Sequence, residues 1–206
     1  MKFLRKIIAN LRRLKVIRCH LINNMNRKLK LWELDRLSEE EFRIQTKFPM
    51  IVVLDGIRSL NNIGSIFRTA DAFNVEKIYL CGISAQPPHR DIQKTALGAT
   101  ETVAWEYRSS IVELTKELKN KGVVVCAVEQ AEEITLLQNT THLQGEKFAL
   151  VFGNEVDGVD QQVVDLADHI IEVPQFGTKH SLNVSVCAGV VLWEFGKRYF
   201  GRKAKT

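Results

Sequence analysis

A chain of 206 residues has room for one α/β domain plus an arm, or for two very small domains. Its 45% hydrophobic and 26% charged content excludes a wholly disordered chain or a low-complexity fibre, and apolar runs of about seven residues fall far short of the ~20 that a membrane-spanning helix needs. The net charge of +5 is unevenly divided: residues 1–30 hold ten Lys/Arg and no acid, residues 197–206 hold five more, and residues 31–196 are left with 14 bases against all 24 acids.

In residues 1–22, Phe3, Leu4, Ile7, Ile8, Leu11, Leu14, Ile17 and Leu21 recur at three- and four-residue steps among Arg and Lys, which predicts a basic amphipathic helix. Charges interrupt any apolar core there and no small-residue cleavage site follows, so a signal peptide is not expected. Met25 is a second possible start. Residues 31–45 read as a short acidic helix with Ser38 as N-cap and Glu39, Glu40 and Glu41 in its first turn. Pro49 then breaks the chain.

From residue 50 strand and helix alternate. The continuous apolar run 50–54 predicts a strand buried on both faces. Helical spacing follows over 63–73, a strand over 77–81, and a Pro- and Gly-containing loop with one helical turn over 84–100. Residues 101–107 read as an edge strand, 111–121 as a helix stopped by Gly122, and 123–128 and 148–152 as strands. A short helix over 161–167, a short strand over 169–173 and a long apolar helix over 181–200 complete the pattern. Repeated β–α alternation predicts an α/β fold with a mainly parallel sheet covered by helices on both faces. The division expected is a basic arm with a short helix over 1–49 and a domain over 50–206.

Parallel sheets bind ligands outside the carboxyl ends of their strands. Glycines and polar residues gather after three of the predicted strands, at 55–68, 153–158 and 174–183. The chemistry they carry is not that of several familiar sites. No G-x-G-x-x-G follows a strand. Gly153 and Gly158 have phosphate-loop spacing, but Val159-Asp160 stands where Lys-Ser/Thr is required. No H-E-x-x-H or G-x-S-x-G occurs, and the histidines lack ligand spacing. Cys19, Cys81, Cys126 and Cys187 are widely spaced with no C-x-x-C pair, which argues against a disulfide framework or structural zinc and reads most simply as reduced thiols in a cytoplasmic protein.

Three motifs in order, Asn62-x-Gly64-x-x-x-Arg68-Thr69-Ala70, Gly153-Asn154-Glu155-x-x-Gly158 and Pro174-x-x-Gly177-x-x-x-Ser181-Leu182-Asn183-Val184-Ser185-Val186, resemble those of the SpoU (TrmH-like) RNA ribose 2′-O-methyltransferases of the SPOUT superfamily. The resemblance covers about residues 50–200. It implies a C-terminal trefoil knot with loops near 153–177, S-adenosyl-L-methionine as cofactor, tRNA or rRNA as substrate, and a homodimer through helix 181–200. No metal is implied. Two rivals remain: a non-catalytic RNA-binding module that kept the fold, and a small-molecule α/β enzyme. Membrane contact of the basic arm is not expected; RNA contact and a dispensable extension both stay open for residues 1–24.

The resemblance also assigns roles. Arg68 matches the family's essential arginine. Arginine is ordinarily protonated, so the side chain either contacts phosphate and orients the attacking hydroxyl, the role physics favours, or acts as a base in a strongly perturbed setting. Asn62 would hold ribose or backbone, or simply cap a helix as the residue before Ile63. Glu155 would orient Arg68 or the acceptor nucleotide. Ser181 and Asn183 would border the acceptor site, with Ser181 also a candidate N-cap. The cofactor set is Gly153, Val173, Leu182, Phe152, Pro174 and Gly82: Gly153 would admit the cofactor close to the backbone, and backbone at Val173 and Leu182 would read the adenine while their side chains pack. Arg58, Lys179 and His180 are candidate phosphate contacts. Trp193, Phe195 and Phe200 read as core or dimer interface.

Overall fold

The structure is a computed structural model that describes residues 27–34 and 36–200. The predicted helix over 1–22 lies outside the described residues. The chain divides into two compact units, Met1–Leu37 and Ser38–Thr206. In the first, a single 3-10 turn spans Leu31–Glu33, and Glu33 accepts from Arg27 at 2.7 Å and from the Lys30 backbone at 2.8 Å.

The second unit opens with α1 (Glu39–Ile44), where Ser38 and Glu41 form a reciprocal capping box. The acidic helix is therefore shorter than 31–45, because the box fixes its start at residue 39. Strand β1 (Phe48–Asp55) includes Pro49, which does not break the chain: the register against β2 (Val75–Cys81) shifts between Phe48 and Ile51, which accommodates the missing donor. Helix α2 (Leu60–Ala72) lies between these strands. The stretch read as a loop holds two helices, α3 (Arg90–Ala96) and α4 (Ala99–Thr102), and strand β3 (Trp105–Arg108) starts only after them. Gly64 explains α3: a Cβ there would run into the Ile92 carbonyl and Thr95 Oγ1, so the glycine lets α3 pack directly on the α2 backbone. That packing holds helical a stretch whose Pro and Gly content favours turns.

Next come α5 (Ile111–Asn120), capped by Ser110, and β4 (Val124–Val128). Strand β5 (Thr135–Leu136) and a 3-10 segment over Leu137–His142 were not anticipated, being too short for a periodic signal. The chain continues through β6 (Phe148–Gly153), α6 (Gln161–Leu166), β7 (His169–Glu172) and α7 (Val184–Gly196). The last helix is shorter than 181–200. Its N-cap is Asn183, not Ser181, because the Asn183 side-chain oxygen Oδ1 accepts from the backbone of Ser185 and Val186.

The sheet is seven-stranded with order β3-β2-β1-β6-β4-β7-β5, and every pairing is parallel. In β1, Met50, Val52 and Leu54 join one core with Ile63, Phe67, Ile92, Leu192 and Phe195, while Ile51 and Val53 join a second core with Leu114, Leu118 and Val163. Burial on both faces is why the strands read as unbroken apolar runs.

Asp168, just before β7, ties α5 and β4 together: it accepts from Lys119 Nζ at 2.7 Å and from the Val125 backbone at 2.8 Å. Desolvation raises its pKa, but the Lys119 and Val125 hydrogen bonds outweigh it and hold the carboxyl below its ordinary range. A depressed carboxylate contributes stability above its unfolded pKa of about 4 and loses it as pH falls through the lower folded value. Wild type should therefore melt higher than Asp168→Asn at neutral pH, and the gap should close in acid. A gap in melting temperature independent of pH between 2 and 7 would refute this.

Candidate active site

Three loops converge at the carboxyl ends of β1, β6 and β7. After β6, Asn154 closes a tight loop: its side-chain oxygen accepts from the backbone of Val156 and Asp157, both at 2.9 Å, and its carbonyl accepts from Gly158 at 3.1 Å. This holds Glu155 at the tip. Glu155 Oε1 accepts from Asn62 Nδ2 at 2.6 Å, and Asn62 Oδ1 accepts from Asn183 Nδ2 at 3.2 Å. The three sequence motifs thus meet in one polar chain, Asn183 to Asn62 to Glu155. Asn62 is free to do this because it is not the helix cap: Ser59 caps α2.

Beside this chain, at the ends of β4, β6 and β7, lies a cavity of about 900 Å³. Phe152, Gly153, Glu155, Val173, Ser181 and Leu182 line it. Pro174 and Gly82 do not; Gly82 turns at the end of β2, two places from β6 in the sheet, where its carbonyl accepts from Tyr107 Oη. Arg68 is exposed on α2, its side chain without a hydrogen bond or ion pair to a described residue, and Arg58, Lys179 and His180 are also exposed. Phe195 is buried, whereas Trp193 is 55% exposed and packs edge-on against Phe73.

The fold of the loop by itself requires glycine at 153. A Cβ there would collide with the backbone of Gly158 and Val159, so it is the site's own loop that approaches closely. Gly158 in turn, at φ +69°, leaves room for the Glu129 carboxylate.

Glu129 and Gln130 were not singled out from the sequence. Glu129 Oε2 accepts from the Val159 backbone at 3.0 Å, and Gln130 Nε2 donates to the His180 carbonyl at 2.8 Å. One dipeptide therefore fastens both the 154–159 loop and the 174–183 loop to β4. The available signal was the same strand-end rule, since both residues directly follow β4. Asp55, at the end of β1, accepts from the Asp160 backbone at 2.9 Å. Burial pushes its carboxyl above the ordinary range, opposed by that bond and reinforced by the charge of Asp160.

The cavity wall carries the acids Glu129, Glu132, Glu133, Glu155, Asp157, Asp165 and Glu172 and, among the described residues, no lysine or arginine. Such a wall favours a ligand bearing positive charge and disfavours one bearing phosphates. Apolar surface from Phe152, Val173, Leu182 and Val184 and the polar loop backbones suit a mixed ligand with a flat heterocycle.

The sequence model of the SpoU rRNA Methylase family matches residues 49–193. The chain is 33% identical over 146 residues to the 23S rRNA (guanosine-2′-O-)-methyltransferase RlmB of Neisseria meningitidis serogroup B, a stretch that is 71% of this chain and 57% of that protein. Among solved structures, the A. aeolicus TrmH/SpoU tRNA modifying enzyme aligns with a TM-score of 0.71 at 27% identity, over 80% of this chain and 82% of that one. An AdoMet-bound rRNA methyltransferase from Sinorhizobium meliloti shares the fold, with a TM-score of 0.68 at 24% identity over 75% of this chain and 58% of that one.

Proposed function

The chain belongs to the SpoU rRNA Methylase family, and from that premise we propose that it methylates a ribose 2′-hydroxyl in tRNA or rRNA with S-adenosyl-L-methionine. The observation that carries this reading is the acid-walled cavity lying directly against the Asn183–Asn62–Glu155 chain. A sulfonium and an ammonium group give the cofactor the positive charge that such a wall favours. When bound, it supplies an electrophilic methyl group on sulfur.

The chain's own residues do the rest. Gly153, Val173 and Leu182 offer loop backbone to the adenine, with Phe152 behind them. Ser181 and Asn183 border the acceptor ribose, and Asn62, held between Glu155 and Asn183, presents fixed polar atoms to it. Arg68, exposed and with no side-chain partner among the described residues, takes an acceptor phosphate and orients the 2′-oxygen toward the methyl group. The cofactor would give up its methyl group and keep the sulfur–carbon electron pair, and the 2′-hydroxyl proton would pass to water at this exposed part of the site.

The same reading includes a trefoil knot built from 153–177, with residues 50–206 as the catalytic domain and the basic segment 1–49 as an arm. It also includes a homodimer through α7. Val186, Val190 and Trp193, three or four residues apart on α7, leave an apolar stripe exposed, which supports a second copy packing there. Among the described residues no helix is long and apolar enough to cross a membrane, and Cys81, Cys126 and Cys187 are free thiols; a cytoplasmic place fits the proposed RNA substrate.

The test is mass-spectrometric mapping of ribose methylation in total RNA from cells with and without the protein. One or more 2′-O-methyl positions should disappear on deletion and return on complementation. Identical maps, together with no transfer to bulk tRNA or rRNA by the purified protein, would overturn the reading.

A further inference from the structure

Among the described residues of the second unit, two groups of cations stand apart. Lys77, Arg108, Lys119, Lys121 and Lys147 are each ion-paired to a carboxylate, and Arg198 donates to the carbonyls of Leu143 and Thr140. By contrast, Arg58, Arg68, Arg90, Lys94 and Lys179 are exposed, and their side chains make no hydrogen bond or ion pair to a described residue.

The second group shares one neighbourhood. Arg58 precedes the cap of α2, and Arg68 lies on that helix. Arg90 and Lys94 lie one turn apart on α3, which packs on α2 at Gly64 and whose Thr95 Oγ1 donates to the Asn61 carbonyl at 3.1 Å. Lys179 is on the loop that delivers Asn183 to Asn62. The acids nearby include Asp91, exposed on α3, Asp71 on α2, which accepts from Thr102 Oγ1, and Glu155, already held by Asn62. Arg90 occupies the first position of its helix, against the helix dipole, so helix stability does not account for it. The adjacent cavity wall, being acidic, repels a polyanion and leaves this cationic rim as the place for one.

We propose that Arg90 and Lys94 extend the acceptor site into a phosphate track along α3, which holds the RNA strand flanking the target nucleotide. This rests on the RNA methyltransferase reading and adds to it the surface that carries the substrate. Phosphate contacts fix register without reading sequence, so the track contributes affinity common to all RNA sequences.

The experiment compares wild type with Arg90→Ala/Lys94→Ala, using total ribosomal RNA and mixed-sequence single-stranded RNA across a salt series. The double variant should bind both RNAs more weakly, and the slope of log affinity against log salt should fall by about 1.5, at roughly 0.7–0.9 per lost contact. Affinity for S-adenosylhomocysteine and the melting temperature should not change. Arg90→Lys/Lys94→Arg should restore the slope, and Lys116→Ala/Lys121→Ala on α5 should not alter it. If wild type binds RNA and the first double variant matches it in affinity and slope, the track is refuted while the methyltransferase reading stands. If wild type neither binds nor methylates RNA, both fall.

Discussion

Replacing Arg68 with alanine should reduce methyl transfer by about 10²–10³-fold, the usual cost of removing one preorganised electrostatic group from an active site, while cofactor affinity stays the same. The separation follows from where the residue sits. Ile63, Ile66, Phe67 and Ala70 bury the inner face of α2, and Arg68 projects from the outer face. Truncating it removes no core contact and no hydrogen bond within the described residues, so folding should be unaffected. It does not line the cavity, so calorimetry with S-adenosylhomocysteine should give the wild-type constant. Arg68→Lys should recover little activity, because an ammonium lacks the planar fork that grips two phosphate oxygens. Near-normal turnover by the alanine variant would remove Arg68 from the catalytic set.

Gly153→Ala should be strongly destabilising for the addition of a single methyl group. Its Cβ would overlap the backbone of Gly158 and Val159, atoms that no rotamer change can move. The 153–159 loop is closed by Asn154, and Glu129 holds it through Val159, so relief requires breaking those bonds. The expected cost is on the order of 3 kcal/mol, the upper end for overpacking a tight site, read as a lower midpoint in urea. Because the same loop walls the cavity and carries Glu155, cofactor affinity should fall as well. Gly177→Ala is the control, since a Cβ there would meet nothing within 4 Å; it should melt like wild type. A Gly153→Ala protein with wild-type stability would show that the loop yields freely.

What was legible in advance follows from local chemistry. The apolar runs that became β1, β2, β4 and β6 were unmistakable because central parallel strands are buried on both faces, and Gly122 stopped α5 as read. Helices α3 and α4 were legible only as a single helical turn within a loop. A Pro- and Gly-containing stretch reads as loop by propensity, and only contact with α2 across Gly64 holds α3 in place. The same limit applied at the caps. Ser59 and Asn183 took the capping roles read for Asn62 and Ser181, since the first residue of a helix depends on where the loop before it is anchored.

For the site, the sequence by itself determined membership: three motifs at three strand ends, with residue types suited to binding a cofactor and orienting a hydroxyl. It also determined that the body is acidic and the termini basic. Only the tertiary structure decided which of those residues touch. Asn62 and Glu155 are 93 positions apart, and Asn62 and Asn183 are 121 apart, yet they form one hydrogen-bonded chain. The acids of the cavity wall and the unpaired cations of α2 and α3 are likewise scattered along the chain. Electrostatic interactions depend on distance through space, and the parallel sheet, by bringing every strand's carboxyl end to one edge, is what sets those distances.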